Sequence, residues 1–342
     1  MNSKAFVIEM PLRQPHAAAG HMVDSRRGVI VNVSDGSSNG WGEFAELPGY
    51  STETIETALA ALAGDPVTHS NPMAIAAKRT AELDLEAKQR GIPLTELLGG
   101  TPGAVEAGAV VARFGDLAAT IDEAGRRLGE GYRKIKIKIG PGFDIEPLSE
   151  LRSQFPESTL AADANGAYQP DQVPPQMDEL ELLYLEQPFP ATAPWDSFAG
   201  LRRSLSTPIC LDESITGPPA LRAAIASAAC DVVNLKPARL AGLAQAVEMH
   251  NLASSAGLGL VAGGLLETGI GRAAVAAFAR LPGFTFPSDL AASSRYWDQD
   301  LTIPEWHLDA GSLGVSEQPG IGVSVDTARL AEVTISEHSL PS

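Results

Sequence analysis

The sequence holds only two cysteines, Cys210 and Cys230, among 342 residues. Two thiols cannot build the bridge framework of a small secreted domain or a thiolate metal site. Both lie inside apolar stretches, PICLDES and AACDVVNL, where a thiol behaves as a small buried hydrophobe. Long apolar runs are missing too: nothing reaches the about 18 residues that a spanning helix needs. The first residues, MNSKAFVIEMPLR, lack the apolar core and cleavage site of a secretory signal, so the expected address is the cytoplasm. Basic side chains are scarce, 25 against 42 acidic ones, for a net charge of −17. A surface that negative repels polyphosphates and anionic headgroups, so nucleic acid and membrane are excluded as expected partners.

What is present suffices for a large core, with 44% hydrophobic residues and a length that accommodates two domains or one barrel with an attached lobe. Residues 5–12 (AFVIEMPL) and 28–33 (GVIVNV) read as strands of an antiparallel sheet joined by a mobile loop over 13–27. Helical spacing follows over 52–62 and 72–89, stopped by Gly91 and Pro93. From Val105 the texture changes to short apolar runs alternating with amphipathic stretches. The runs are VEAGAVVA, KIKIKIG, TLAADAN, LLYLEQPF, PICLDES, DVVNLKP, LGLVAGG and, most weakly, FTFPSDL. Strand alternating with helix implies a parallel sheet, and eight such units imply closure. The expectation is an α/β fold: a (β/α)7β-type TIM barrel over 104–310 behind an N-terminal α+β capping domain over 1–103. Residues 311–342 have too little mass to fold alone and are expected to return to that domain. An open doubly wound sheet is the alternative.

Chemically unusual residues recur along these units at a regular interval. Lys138, Asp163, Glu186, Asp212, Lys236 and Gly263 are separated by 25, 23, 26, 24 and 27 residues. That interval is one strand, one helix and two loops, so each residue falls at the C-terminal end of its strand, where barrel active sites are built. Singly, an aspartate there caps the next helix. Together, three carboxylates on adjacent strands repel each other unless a cation joins them. With no histidine or cysteine nearby, this is a hard-oxygen set suited to Mg²⁺ or Mn²⁺. Lys138 and Lys236 come from strands two and six of eight and so face each other across the barrel. In KIKIKIG the strand period puts Lys134, Lys136 and Lys138 on one side, so mutual crowding and burial are expected to lower a lysine pKa toward that of a base. A divalent ion between two amines suits removal of a proton from carbon next to a carboxylate.

The motifs Lys136-x-Lys138 after GYRKI, Asp163-Ala-Asn165, Glu186-Gln-Pro188, Asp212-Glu213-Ser214, Asn234-x-Lys236-Pro237 and Gly263-Gly264 before LLETGIGR resemble the muconate-lactonising subgroup of the enolase superfamily. Within it, GGLLETGIGRAAVAAFARLPGF, SDLAASSRYWDQDL and PGIGV are similar to o-succinylbenzoate synthases related to N-acylamino acid racemases. The resemblance implies metal ligation by Asp163, Glu186 and Asp212 and proton abstraction by Lys138. Lys236 would be the opposing acid/base or a cation beside the enolate. Lys136, Asn165 and Glu213 would support these groups, while Gly263 and Gly264 would let the substrate approach and the 13–27 loop would cover the barrel mouth. The implied substrate is a small carboxylate, dehydrated to o-succinylbenzoate. Racemisation of an N-acylamino acid or dipeptide, a metal-independent Schiff-base aldolase and a non-catalytic metal-stabilised barrel stand as rival readings, and a homo-oligomer is compatible with all. The six histidines, His16, His21, His69, His250, His307 and His338, follow no ligand spacing and are expected on the surface or in loops. Tyr296 and Trp297 are expected to pack between helices.

Overall fold

The structure is a computed structural model describing the backbone of residues 2–18, 21–65, 71–113 and 116–341, and their side chains except those of 15–18, 21 and 22. Strands β1 (Asn2–Ala18), β2 (His21–Ser34) and β3 (Asn39–Ala45) form an antiparallel sheet. The segment expected as a loop over 13–27 instead continues β1 and β2 as one hairpin, paired from Ala18↔His21 outward, with a register shift between Pro11 and His16. Backbone pairing thus extends beyond the apolar pattern, because the polar residues near the tip need no core to keep their ladder. The side chains of His16 and His21, and all of His69, lie outside the described residues.

Alternation divides the sheet between two cores. Ala5, Val7, Val29, Val31 and Val33 face α1 (Ile55–Leu62) and α2 (Pro72–Arg90). Ile8, Met10, Leu12 and Ile30 face the barrel instead. Helix α1 starts at a capping box on Thr54, and α2 starts on Pro72 and stops at Gly91, whose φ of 67° is left-handed. Sheet and α2 touch backbone to backbone: a Cβ on Gly42 would lie 2.0 Å from the Ala77 carbonyl oxygen. The C-terminal strand β16 (Thr334–Leu340) pairs antiparallel with β1 and completes a four-stranded sheet. The return of the C-terminal segment is divided, since β14 (Ser312–Val315) pairs with β4 (Gly103–Glu106) at the foot of the barrel.

The barrel strands are β5 (Gly108–Val111), β6 (Lys134–Lys138), β7 (Thr159–Asp163), β8 (Leu185–Glu186), β9 (Ile209–Leu211), β10 (Val232–Leu235) and β11 (Gly259–Ala262). They form one parallel seven-stranded sheet in sequential order, with helices between them. The weak eighth run, FTFPSDL, makes no regular strand, yet it closes the ring through single parallel bridges. Phe284 and Asp289 meet Leu260 and Gly263 on β11's side, and Ser288 meets Ala107 beside β5. The isoleucines of KIKIKIG point outward into the core beneath the helices, and the lysines point into the barrel.

Among the histidines one departs from expectation. His250, on α8 (Leu243–Ser255), is buried, with Nε2 2.7 Å from the Pro282 carbonyl oxygen and its ring against Phe278 and Phe284. A polar residue on an otherwise apolar helix face is tolerated here because a backbone acceptor reaches it. His307 and His338 are exposed. Both cysteines are buried and free, and Trp297 is buried.

Candidate active site

Parallel register sets the site residues side by side. Lys138 pairs with Asp163 across β6 and β7, and Asp163 with Glu186 across β7 and β8. Glu186 is level with Cys210, and Asp212 follows two residues on, pointing to the same face. Lys236 follows β10 in the same way, four strands round from Lys138 in the closed ring.

These side chains meet as alternating charges. Lys138 Nζ lies 2.6 Å from Asp163 Oδ2 and 2.6 Å from Asn165 Oδ1. Lys136 Nζ lies 2.8 Å from Glu186 Oε2 and 2.5 Å from Asp289 Oδ2. Lys236 Nζ lies 2.6 Å from Asp212 Oδ2, and Arg239 holds the other oxygen at 2.8 Å. Asn165 in turn donates to Glu213 at 2.8 Å, and Asn234 to Glu186 at 2.9 Å. The expected mutual crowding of lysines is therefore replaced by pairing with carboxylates. Burial pulls the Lys136 ammonium down, but Asp289, Glu186 and Asp163 more than reverse this and hold it well above the ordinary lysine range. Lys236 rises likewise, because burial, the largest single influence, is outweighed by Asp212, Tyr50 and Glu186 together. The Lys138 side chain is 28% exposed, so the premise of full burial fails for it.

The carboxylates divide. Burial raises all three, yet Lys138 and Lys136 bring Asp163 below its ordinary value, and Lys236 and Arg239 do the same for Asp212. Glu186 stays pushed up to about 7, since burial and the charges of Asp163, Asp289 and Asp212 exceed what Lys136 supplies. Of the three buried carboxylates on consecutive strands, only Glu186 is thus short of positive charge. As they stand, among the described residues, no three His, Cys, Asp or Glu side chains converge closely enough to hold a metal. Each carboxylate instead carries an ammonium, a stand-in cation, and an all-oxygen donor set of this kind fits a hard divalent ion once those ammoniums withdraw.

The N-terminal residues 2–72 match the model for the N-terminal domain of MenC, and residues 119–329 match the enolase C-terminal domain-like model. The chain belongs to the enolase superfamily. A relative named o-succinylbenzoate synthase, from Bacillus subtilis, is 38% identical and covers 94% of this chain and 93% of its own. One named N-succinylamino acid racemase, from Thermus thermophilus, is 44% identical over 83% of this chain and 75% of its own. A solved enolase-superfamily member from Listeria innocua superposes with a TM-score of 0.92 at 28% identity, covering 99% of this chain and 98% of that one. The protein is accordingly an enzyme, and its barrel is the superfamily's TIM barrel.

In this superfamily member the barrel mouth opens into a cavity of about 530 Å³. Lys136, Lys138, Asn165, Glu213, Lys236 and Gly264 line it, whereas Asp163, Glu186 and Asp212 lie beneath, screened by the lysines. Gly263 is not exposed to the cavity but makes room for its wall, since a Cβ there would fall 2.4 Å from Asn234 Oδ1 and 2.8 Å from Lys236 Cε. The capping sheet's side contributes Leu47, Gly49 and Tyr50, and the Tyr50 ring lies 4.9 Å below the Lys236 ammonium. Tyr296, expected only as packing, also lines the cavity.

Sequence reasoning missed Asp289, which ends the eighth unit, binds Lys136, and lies 2.8 Å from the wholly buried Lys134. The signal was available, because Asp289 follows Gly263 by 26 residues and so continues the interval of the other strand ends. Arg239 and Tyr50 carried no such signal.

Proposed function

We propose that this lyase is a Mg²⁺-dependent o-succinylbenzoate synthase, dehydrating 2-succinyl-6-hydroxy-2,4-cyclohexadiene-1-carboxylate in menaquinone biosynthesis. Superfamily members bind Mg²⁺, and Asp163, Glu186 and Asp212 would hold it here. When bound it supplies positive charge where the substrate carboxylate gains a second negative one. The observation that carries the reading is the register placing Lys138, Asp163 and Glu186 in one row, with Lys236 across the cavity.

In this reading Lys138 takes the proton from the carbon bearing the carboxylate, once its amine is released from Asp163. The C–H electrons pass into the carboxylate as an enediolate and return to form the ring double bond as the C–O bond at the neighbouring carbon breaks. The abstracted proton and the hydroxyl leave together as water, and the ring becomes aromatic. Lys236, packed on Tyr50 and released from Asp212 once that carboxylate is a metal ligand, would stay a cation on the opposite face and steady the developing charge. Asn165 sets the angle of Lys138, and the apolar wall of Leu47, Leu265, Leu266 and Leu290 excludes water.

Purified protein with Mg²⁺ should consume the cyclohexadiene substrate, followed by loss of its absorbance, and chelation should stop it. Lys138→Ala should lower kcat by about a thousandfold or more, the scale of a lost acid–base group. Full activity in that variant sinks the assignment.

A second reading, racemisation of N-succinylamino acids, is favoured by both lysines lining one cavity and by the named racemase relative. Deuterium exchange at the α-carbon of either enantiomer, at rates matching turnover, would support it.

A further inference from the structure

Beyond the lysines, the cavity wall after β11 holds one acidic group that the reaction above does not use. Glu267 lines the cavity, is only 5% exposed, and its Oε1 has no hydrogen-bond partner. The two guanidinium groups around it are directed elsewhere. Arg272 donates to the Glu267 main-chain carbonyl, to Ser293 and to Asp300. Arg26 donates to the main-chain carbonyls of Leu265, Leu266, Arg27 and Glu46. The space for the carboxylate is made by two glycines. A Cβ on Gly264 would lie 2.9 Å from Glu267 Oε2, and one on Gly271 would lie 2.7 Å from its Cβ and Cγ.

A buried acceptor without a donor is destabilising, and a protein keeps one where a ligand supplies the missing partner. We infer that Glu267 accepts a hydrogen bond from an N–H or O–H on the body of the substrate, beyond the carboxylate held between the lysines. The inference rests on the proposed function for the identity of the substrate. Its chemistry is shared by two sources: the ring hydroxyl of the cyclohexadiene carboxylate and the amide N–H of an N-succinylamino acid. A negative group in this corner also turns the second, succinyl carboxylate of either substrate away from it. Glu267 thereby sorts substrates by the donor they carry, not by their second acid group.

The experiment compares the unaltered protein with Glu267→Gln and Glu267→Asp, saturated with Mg²⁺, on three substrates. These are the cyclohexadiene carboxylate, an N-succinylamino acid, and the same compound methylated on its amide nitrogen. The amide is identified as the donor if N-methylation lowers kcat/KM about ten- to a hundredfold in the unaltered protein and little further in Glu267→Gln. The hydroxyl is identified if Glu267→Gln loses that factor on the cyclohexadiene substrate while N-methylation is neutral. Either result supports the inference. A merely structural carboxylate would lower Tm when replaced, whereas Glu267→Gln should melt at or above the unaltered protein, because Oε1 makes no hydrogen bond for the replacement to break. Unchanged kcat/KM in both variants on every substrate the protein turns over overturns the inference alone, as does a lower Tm in both. No turnover of any substrate by the unaltered protein overturns the proposed function and the inference with it.

Discussion

At the scale of single residues, the proposed reaction requires cations to be exchanged around carboxylates. Three buried acids accept three ammoniums, and a divalent ion can replace them only if the lysines move aside together. Gly263 leaves the space in which Asn234 and Lys236 now sit. A Cβ at this position would meet Asn234 Oδ1 at 2.4 Å and two Lys236 carbons within 2.9 Å. Gly263→Ala should therefore displace Lys236 and lower kcat by about a hundredfold, the effect of misplacing a reacting group by an ångström. The melting temperature should fall as well, since the wholly buried Asn234 must shift, and steady-state kinetics beside a thermal melt would check both. The placement of these side chains was legible in sequence because a repeated interval marks the strand ends. Tyr50 under Lys236 and Arg239 on Asp212 were not, since neither belongs to that interval.

At the scale of elements, the capping sheet is fixed to the barrel through a carboxylate. Glu43, on β3, accepts from the backbone N–H groups of Thr268 and Gly271 and from the Thr268 hydroxyl, at the N-terminus of α9 (Gly269–Phe278). All ten residues of α9 are buried, so its free N–H groups need such a partner. Burial nevertheless pushes Glu43 up to about 7, with Glu267 adding to it and Thr268 and Arg26 opposing. A folded-state value above the ordinary one means that the native form binds the proton more tightly than the unfolded chain. Stability from this group is full below its ordinary range near 4.5 and falls as pH rises through about 7. The loss amounts to about 3 kcal/mol if the shift is carried by Glu43 alone. Denaturant unfolding of Glu43→Gln between pH 4 and about 8 should show that slope reduced; an unchanged slope would assign it to other groups. The hairpin of β1 and β2 gives a parallel lesson. Its apolar ends were readable as strands, while its polar tip is held by cross-strand backbone pairing that composition does not report.

At the scale of the whole molecule, the chain ends where it began. Strand β16 covers the edge of β1, and its Leu340 is buried in the core shared with Ala5 and Val7. A chain stopped after Val333 should lose about 2 kcal/mol from that side chain alone. It should also expose the long edge of β1 and associate, which thermal melting and sedimentation velocity would detect. Among the described residues no helix is long and apolar enough to cross a membrane. The barrel closes through three single bridges on the 284–289 segment, and that closure brings Asp289 to Lys134 and Lys136 across more than 150 positions of sequence. By itself the sequence determined the alternation of strand and helix, the charged residues at the strand ends and the inward lysines, because each follows from spacing within a unit or between neighbours. Only the tertiary structure decided which ammonium sits on which carboxylate, that Glu43 caps a barrel helix, and that Glu267 faces the cavity unpaired. Those are contacts between residues far apart in the chain, and they exist only once the ring has closed and the capping sheet has docked on it.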